Sequence, residues 1–182
     1  MGKMKDLENK QRVKRGKARS SPRRRLSKRS TGASSGCASP ESRERYKYFL
    51  AAGTRWLDND AYGHVNNVVH YSYFDTVVNR YLIEAGALDI TGSGAIGLVV
   101  ETHCEYFSPI AFPDNVHIGL RVATLGRTSV RYEIGIFRND NLQASAQGHF
   151  VHVYVDRVNR RPRPLSRALR EALRPLLAEQ GR

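Results

Sequence analysis

The sequence predicts an α+β domain: an antiparallel sheet of about five strands wrapped around a long central helix, followed by a C-terminal helix. Three observations carry that expectation. The stretch from 67 to about 85 is apolar at helical spacing over much of its circumference. Four later runs alternate apolar and polar residues, and their short links suit antiparallel neighbours. A chain of 182 residues is the length of one domain by the usual prior of about 100–200 residues.

The chain opens with a basic arm, 1–45, which holds 15 Lys/Arg against 4 Asp/Glu. Of the formal charge of +13, a net +11 therefore sits on the arm, and the body is nearly neutral. With few large apolar residues to bury, the arm is expected to be disordered. Confining the charge to the arm counts against nucleic acid as a partner of the body and leaves nonspecific attraction to polyanions as a rival role for the arm. The arm has no apolar signal core, and no segment reaches membrane-spanning length. Cys37 and Cys104 make no disulfide framework, which fits a reducing, cytoplasmic setting. Mitochondrial targeting by the arm is the minor alternative, with Asp6, Glu8, Glu41 and Glu44 counting against it.

The remaining 46–182 forms the folded domain. Residues 46–56 read as a first, aromatic-rich strand. In the helix that follows, Val68, Tyr71, Val78 and Leu82 mark one face and Phe74, Val77 and Tyr81 a second, with Gly86 just past its end. Strand 97–107 places Leu98, Val100, Cys104 and Tyr106 together. Strand 116–125 groups Val116, Ile118, Leu120 and Val122, and strand 129–138 groups Val130, Tyr132, Ile134 and Ile136. After the turn triplet Asn139-Asp140-Asn141 comes strand 142–156. Ser166 can cap a last helix carrying Leu169, Leu173, Leu176 and Leu177.

Several motif-like stretches fail on physical grounds. Gly92-Ser93-Gly94-Ala95-Ile96-Gly97 has dinucleotide-fingerprint spacing, but it follows a helix and feeds a strand, the wrong context for holding pyrophosphate. Asp58-Asn59-Asp60 begins like a calcium loop, yet Tyr62 and Val69 fall where oxygen ligands are required. His64 and His70 are badly spaced for a shared metal face, and no serine-hydrolase elbow occurs. No metal and no cofactor are expected.

What remains is the polar loop in LDNDAYGHVNNVVHYSYFD, residues 57–75, at the start of the long helix. Turn and cap duty explains Asp58 adequately. Asp60 calls for more, because a carboxylate beside Gly63 faces the unpaired N–H groups of a helix N-terminus. Those groups and the positive dipole end can polarise a carbonyl and stabilise an oxyanion. Gly63 lets substrate approach the backbone, and the carboxylate can activate water or attack directly. A thioester suits this limited machinery, since its leaving thiol has a pKa near 8.5 and needs little acid assistance.

The stretch RWLDNDAYGHVNNVVHYSYFD resembles the signature of hotdog-fold acyl-CoA thioesterases of the 4-hydroxybenzoyl-CoA thioesterase-like branch. The likeness runs from about Arg55 to Tyr154 and includes YFSPIAFPD and LGRTSVRYE. It implies a hotdog fold and hydrolysis of acyl-CoA to acid and CoA, with an acyl carrier protein thioester as an alternative substrate. The family's catalytic carboxylate falls on Asp60, and the N–H that meets the thioester carbonyl falls at about Asn67. His64 and Asn66 would line the pocket, and Arg127, Thr128 and Ser129 would lie near the CoA phosphates or pantetheine. Many relatives carry tyrosine where this chain has His70, so His70 either alters the pocket or cedes that packing role to Tyr71. Homodimers built by extending the sheet, and homotetramers, are further implications, with sites at subunit interfaces. The rival readings are a hotdog hydratase or dehydratase, whose usual loop patterns are absent, and a noncatalytic dimer whose arm binds an acidic partner or nucleic acid.

Overall fold

The computed structural model describes residues 39–178. The disordered-arm expectation over 1–38, and Cys37 with it, lies outside the described residues. Five strands form one antiparallel sheet in the order β1-β3-β4-β5-β2. They are β1 (Tyr48–Gly53), β2 (Ala95–Tyr106), β3 (Asn115–Leu125), β4 (Ser129–Arg138) and β5 (Ala146–Asp156). The long helix α1 (Asn67–Glu84) packs on one face, and the short α2 (Arg167–Leu173) follows β5.

The two central strands behave as their alternation predicts. Val116, Ile118, Leu120 and Val122 of β3 and Val130, Tyr132, Ile134 and Ile136 of β4 are fully buried. Register explains the match: Ile118 lies opposite Ile136 and Leu120 opposite Ile134, so one dry face is continuous across both strands. Phe74, Val77, Val78 and Leu82 of α1 close that face. Each such side chain contributes roughly 1.5–3 kcal/mol by leaving water. The other side of α1 carries Ser72, Asp75, Thr76, Asn79 and Arg80 and is exposed in the single chain. Val68, expected on the buried face, is 74% exposed, because at helical spacing it falls on the same open side as Ser72, Asp75, Thr76 and Asn79. At the C-terminus Ser166 accepts from the Leu169 N–H (3.2 Å), as expected of a cap. Leu169, Leu173 and Leu176 are buried, whereas Leu177 stays partly exposed and bridges to Val122.

Two expectations need correction. In β2 the ladder to β5 skips between Val99 and Glu101, a bulge centred on Val100. One inserted residue flips the pleat, so Val99, opposite His152, shares its face with Thr102, opposite Phe150; Leu98 falls on the other side. Period-two reading cannot see an insertion that is defined only by the partner strand. The second correction is the boundary of the folded body, which begins before residue 46. Glu41 and Arg43 exchange backbone hydrogen bonds with Leu142 and Ala144. The Glu41 carboxylate meets the buried Arg121 guanidinium at 2.8 Å, and Arg121 also pairs with Glu133. Tyr46 lies across Gly119 and Gly135, which face each other in the β3–β4 ladder. A Cβ at Gly135 would stand 2.6 Å from the Tyr46 ring, so the glycine pair is the trough that seats it.

Candidate functional site

The loop between β1 and α1 is held at both ends by Asp58. Its carboxylate accepts from the Arg55 N–H (2.7 Å) and Nε (2.9 Å), and more weakly from the Tyr73 hydroxyl (3.4 Å). Its carbonyl accepts from Asn66 N–H at 2.8 Å. Burial would raise the Asp58 pKa, but Arg55 overrides it and holds the carboxyl below the ordinary value. Asp58 is thus an internal anchor, in keeping with the turn role read from sequence.

Asp60 sits in the tight turn that follows. Its backbone N–H donates to the His64 carbonyl (2.8 Å), and Gly63 N–H donates back to the Asp60 carbonyl (3.1 Å). One carboxylate oxygen accepts from Tyr62 N–H (2.8 Å) and, at 3.4 Å, from His64 N–H. The other makes no hydrogen bond among the described residues. Gly63 has φ +82°, a left-handed conformation that glycine adopts without strain, and the space where a Cβ would stand is open. Val65 then anchors the loop through its N–H to the Ile110 carbonyl (2.7 Å).

α1 begins immediately after. Asn66 is its cap: the side-chain oxygen accepts from Val68 N–H at 3.0 Å. Asn67 N–H has no acceptor among the described residues, so one helix-terminal donor stands open. Asn67 lines a groove of about 290 Å³ together with His64, Val65, His70, Tyr106 and the segment 107–110. His70 is 5% exposed, and its Nδ1 lies 3.2 Å from the Asn66 carbonyl. Burial pushes its pKa below the ordinary histidine value, against a smaller upward pull from that carbonyl.

Of the residues expected here, the groove therefore gathers His64, Asn67 and His70. Asp60 and Gly63 belong to the turn hydrogen-bonded to His64 at its rim. The Asn66 side chain is committed to capping. Tyr71 is a packing residue, stacked on Phe150 at 6.2 Å and edge-on to Phe74 at 5.8 Å. Arg127, Thr128 and Ser129 are elsewhere: Thr128 accepts from Tyr154 N–H, and Ser129 lies opposite Val153. Tyr106 lies opposite Ala146, so the two sets are separated by most of β5, about 25 Å at the usual strand rise. Sequence reasoning missed the wall formed by 106–110; the proline and serine that end the β2 pattern in YFSPI were the available signal. No group of three or more His, Cys, Asp or Glu side chains among the described residues is placed to hold a metal ion.

A profile of the thioesterase-like superfamily matches residues 54–173, a span holding the loop, the groove and all the strands but the first. The chain belongs to this superfamily. Among curated proteins none matches this thioesterase-like chain. Solved structures do. The PA5185 protein of Pseudomonas aeruginosa PAO1 is 51% identical, with a TM-score of 0.76 over 78% of this chain and 99% of that one. A thioesterase of Thermus thermophilus, solved with coenzyme A and Zn, is 32% identical, with a TM-score of 0.62 over 73% of this chain and 96% of that one. A 1,4-dihydroxy-2-naphthoyl-CoA thioesterase of Synechocystis, 16% identical, shares the fold with a TM-score of 0.64 over 69% of this chain and 94% of that one. The five-stranded sheet with its packed helix is accordingly the hotdog fold of thioesterases. No helix among the described residues is long and apolar enough to cross a membrane.

Proposed function

We propose that this protein is an acyl-CoA thioesterase, releasing free acid and CoA. The observation that carries the reading is the open Asn67 N–H at the start of α1, in a residue that lines the groove together with His64, to whose N–H the Asp60 carboxylate is bonded. A thioester carbonyl placed against that N–H is polarised by a donor and by the helix dipole, both aimed where negative charge develops. Asp60 then acts as general base on water or as nucleophile, through the oxygen that the turn leaves free. Superfamily membership and the coenzyme A-bound Thermus structure support the substrate class.

The working unit is a homodimer, on this reading. β2 is an edge strand, paired among the described residues to β5 alone, and Val99 and Val100 on it are exposed. Such an edge invites a second copy. Antiparallel pairing centred on mid-β2 sets Tyr106 of one copy against residues near 95 of the other. Gly97 lies opposite Tyr154, whose N–H reaches Thr128, so Thr128 and Ser129 of the second copy would approach the groove at His64 and Asn67. The arrangement unites the two residue sets that one chain keeps apart, and a CoA thioester would span both.

The test is hydrolysis of an acyl-CoA panel, from acetyl to palmitoyl and including benzoyl, followed by thiol release. Asp60→Asn should lower turnover by about 10²-fold or more, a typical acid–base contribution, with an unchanged melting curve. Undiminished turnover in that variant rejects the role given to Asp60.

A further inference from the structure

The groove holds a group that the reading above leaves idle. His70 Nδ1 faces the Asn66 carbonyl, which can only accept, so Nδ1 carries the proton and Nε2 keeps a bare lone pair. No side chain or backbone group among the described residues bonds that Nε2. It is not sealed in either: the buried side-chain polar atom left without a partner among the described residues is His152 Nε2, not His70 Nε2. The ring is fixed from three sides. Tyr106 of β2 stands perpendicular to it at 5.0 Å, Tyr73 of α1 lies at 6.4 Å, and Asn66 holds Nδ1. The free side is the groove, shared with Asn67 and His64.

We propose that His70 is a catalytic residue, the base that activates the hydrolytic water through Nε2, in the course of the proposed function in which Asp60 is the nucleophile. The proposal rests on the thioesterase reading and divides the labour within it. Asp60 attacks the thioester carbon held at Asn67 N–H; a C–O bond forms, the C–S bond breaks, and CoA leaves as thiolate, giving an acyl–Asp60 anhydride. Water then attacks the acyl carbon as one of its protons passes to Nε2. The anhydride C–O bond breaks, the Asp60 carboxylate is restored, and the acid departs with the other water proton. The imidazolium, steadied by the Asn66 carbonyl, releases its proton to solvent, balancing the proton that the departed thiolate takes up, and returns to its starting form.

Burial favours the neutral state of this ring, against a smaller pull from the Asn66 carbonyl, and no unpaired cation or anion among the described residues of α1 or β2 lies against it. The groups facing it from α1 and β2 are the Tyr73 and Tyr106 phenols, with the Cys104 thiol beyond Tyr106. The Asp58 carboxylate stands behind Tyr73 and is neutralised by Arg55; from the loop come His64 and, bonded to its N–H, Asp60. With the ring's pKa below its ordinary 6.5, Nε2 is unprotonated at neutral pH and is lost as a base only as pH falls through the depressed value.

The experiment uses the full chain, the best acyl-CoA of the panel, and His70→Asn, which keeps a side-chain N–H near the Asn66 carbonyl and lacks the lone pair; His70→Gln serves if that variant does not fold. The expected result is a burst approaching one thiol per subunit, then steady turnover lowered by about 10²-fold. Intact-mass measurement should show the acyl group retained on the protein. The acid limb of kcat seen in the wild type should be absent from the residual rate. Loss of turnover without a burst, or turnover within twofold of wild type, overturns the role of His70 while leaving the thioesterase reading standing. A wild-type chain inert towards every acyl-CoA overturns both.

Discussion

Replacing His152 with phenylalanine should stabilise the protein, and by more in acid than at neutrality. His152 is central in β5, opposite Val130 of β4 and Val99 of β2, and only 5% exposed. Its ring packs against Tyr132 at 5.1 Å and Phe150 at 5.8 Å, and its Nε2 has no hydrogen-bond partner among the described residues. An orphaned polar atom of this kind costs about 1–3 kcal/mol, and a phenyl ring keeps the outline without it. Burial also pushes the His152 pKa down to about 4. In the unfolded chain it titrates near 6.5, so below that pH the unfolded state binds a proton that the folded state refuses. Stability is therefore lost as pH falls from about 6.5 towards about 4, and going from pH 7 to pH 5 removes about 2 kcal/mol. Urea unfolding of wild type and His152→Phe at the two pH values reads both terms, because the difference between the proteins cancels every other titrating group. The variant should lead by about 1–3 kcal/mol at pH 7, and that lead should widen by about 2 kcal/mol at pH 5. A lead that is independent of pH, or a variant less stable than wild type at pH 7, refutes the reasoning.

The fold makes two further predictions. At Gly63 the space is open but the backbone is left-handed, so Gly63→Ala should lower stability by about 1 kcal/mol and Gly63→Asn by less, as thermal melts would show. Because the loop carries Asp60, the alanine variant should also lose acyl-CoA turnover. Gly135→Ala acts through close approach instead, since its new methyl would displace the Tyr46 ring. A loss of about 1–3 kcal/mol should be accompanied by trypsin cleavage after Arg45 or Lys47 that the wild type resists; retained resistance would count against the seating of Tyr46 in the glycine trough.

The fold was largely legible because its information is periodic. Val116 to Val122 and Val130 to Ile136 announce a dry face by alternation alone, and α1 and the Ser166 cap are local in the same sense. So is the loop: an Asx-rich turn, a glycine and a helix start are consecutive in the chain, and Asp60, Asn67 and His64 could be nominated from spacing and likeness. The rest depends on residues distant in sequence. The bulge at Val100 exists only relative to β5, and the trough for Tyr46 only because Gly119 and Gly135 are register partners. That Tyr71 packs on Phe150 and that 106–110 form the groove's wall are likewise facts of packing.

His70 shows the division most clearly. From sequence it was a departure from the family's usual tyrosine, with no direction attached. Whether a buried imidazole is inert or a base depends on which nitrogen meets a carbonyl and which meets open space. The carbonyl is local, one helical turn back at Asn66, but the open side is bounded by Tyr106 and the segment 107–110, which only the folded chain brings to the ring. Local periodicity sets which segments become helix and strand, because backbone hydrogen bonding and burial act over a few residues; the chemistry of a site is decided by long-range contacts, which the order of residues does not display.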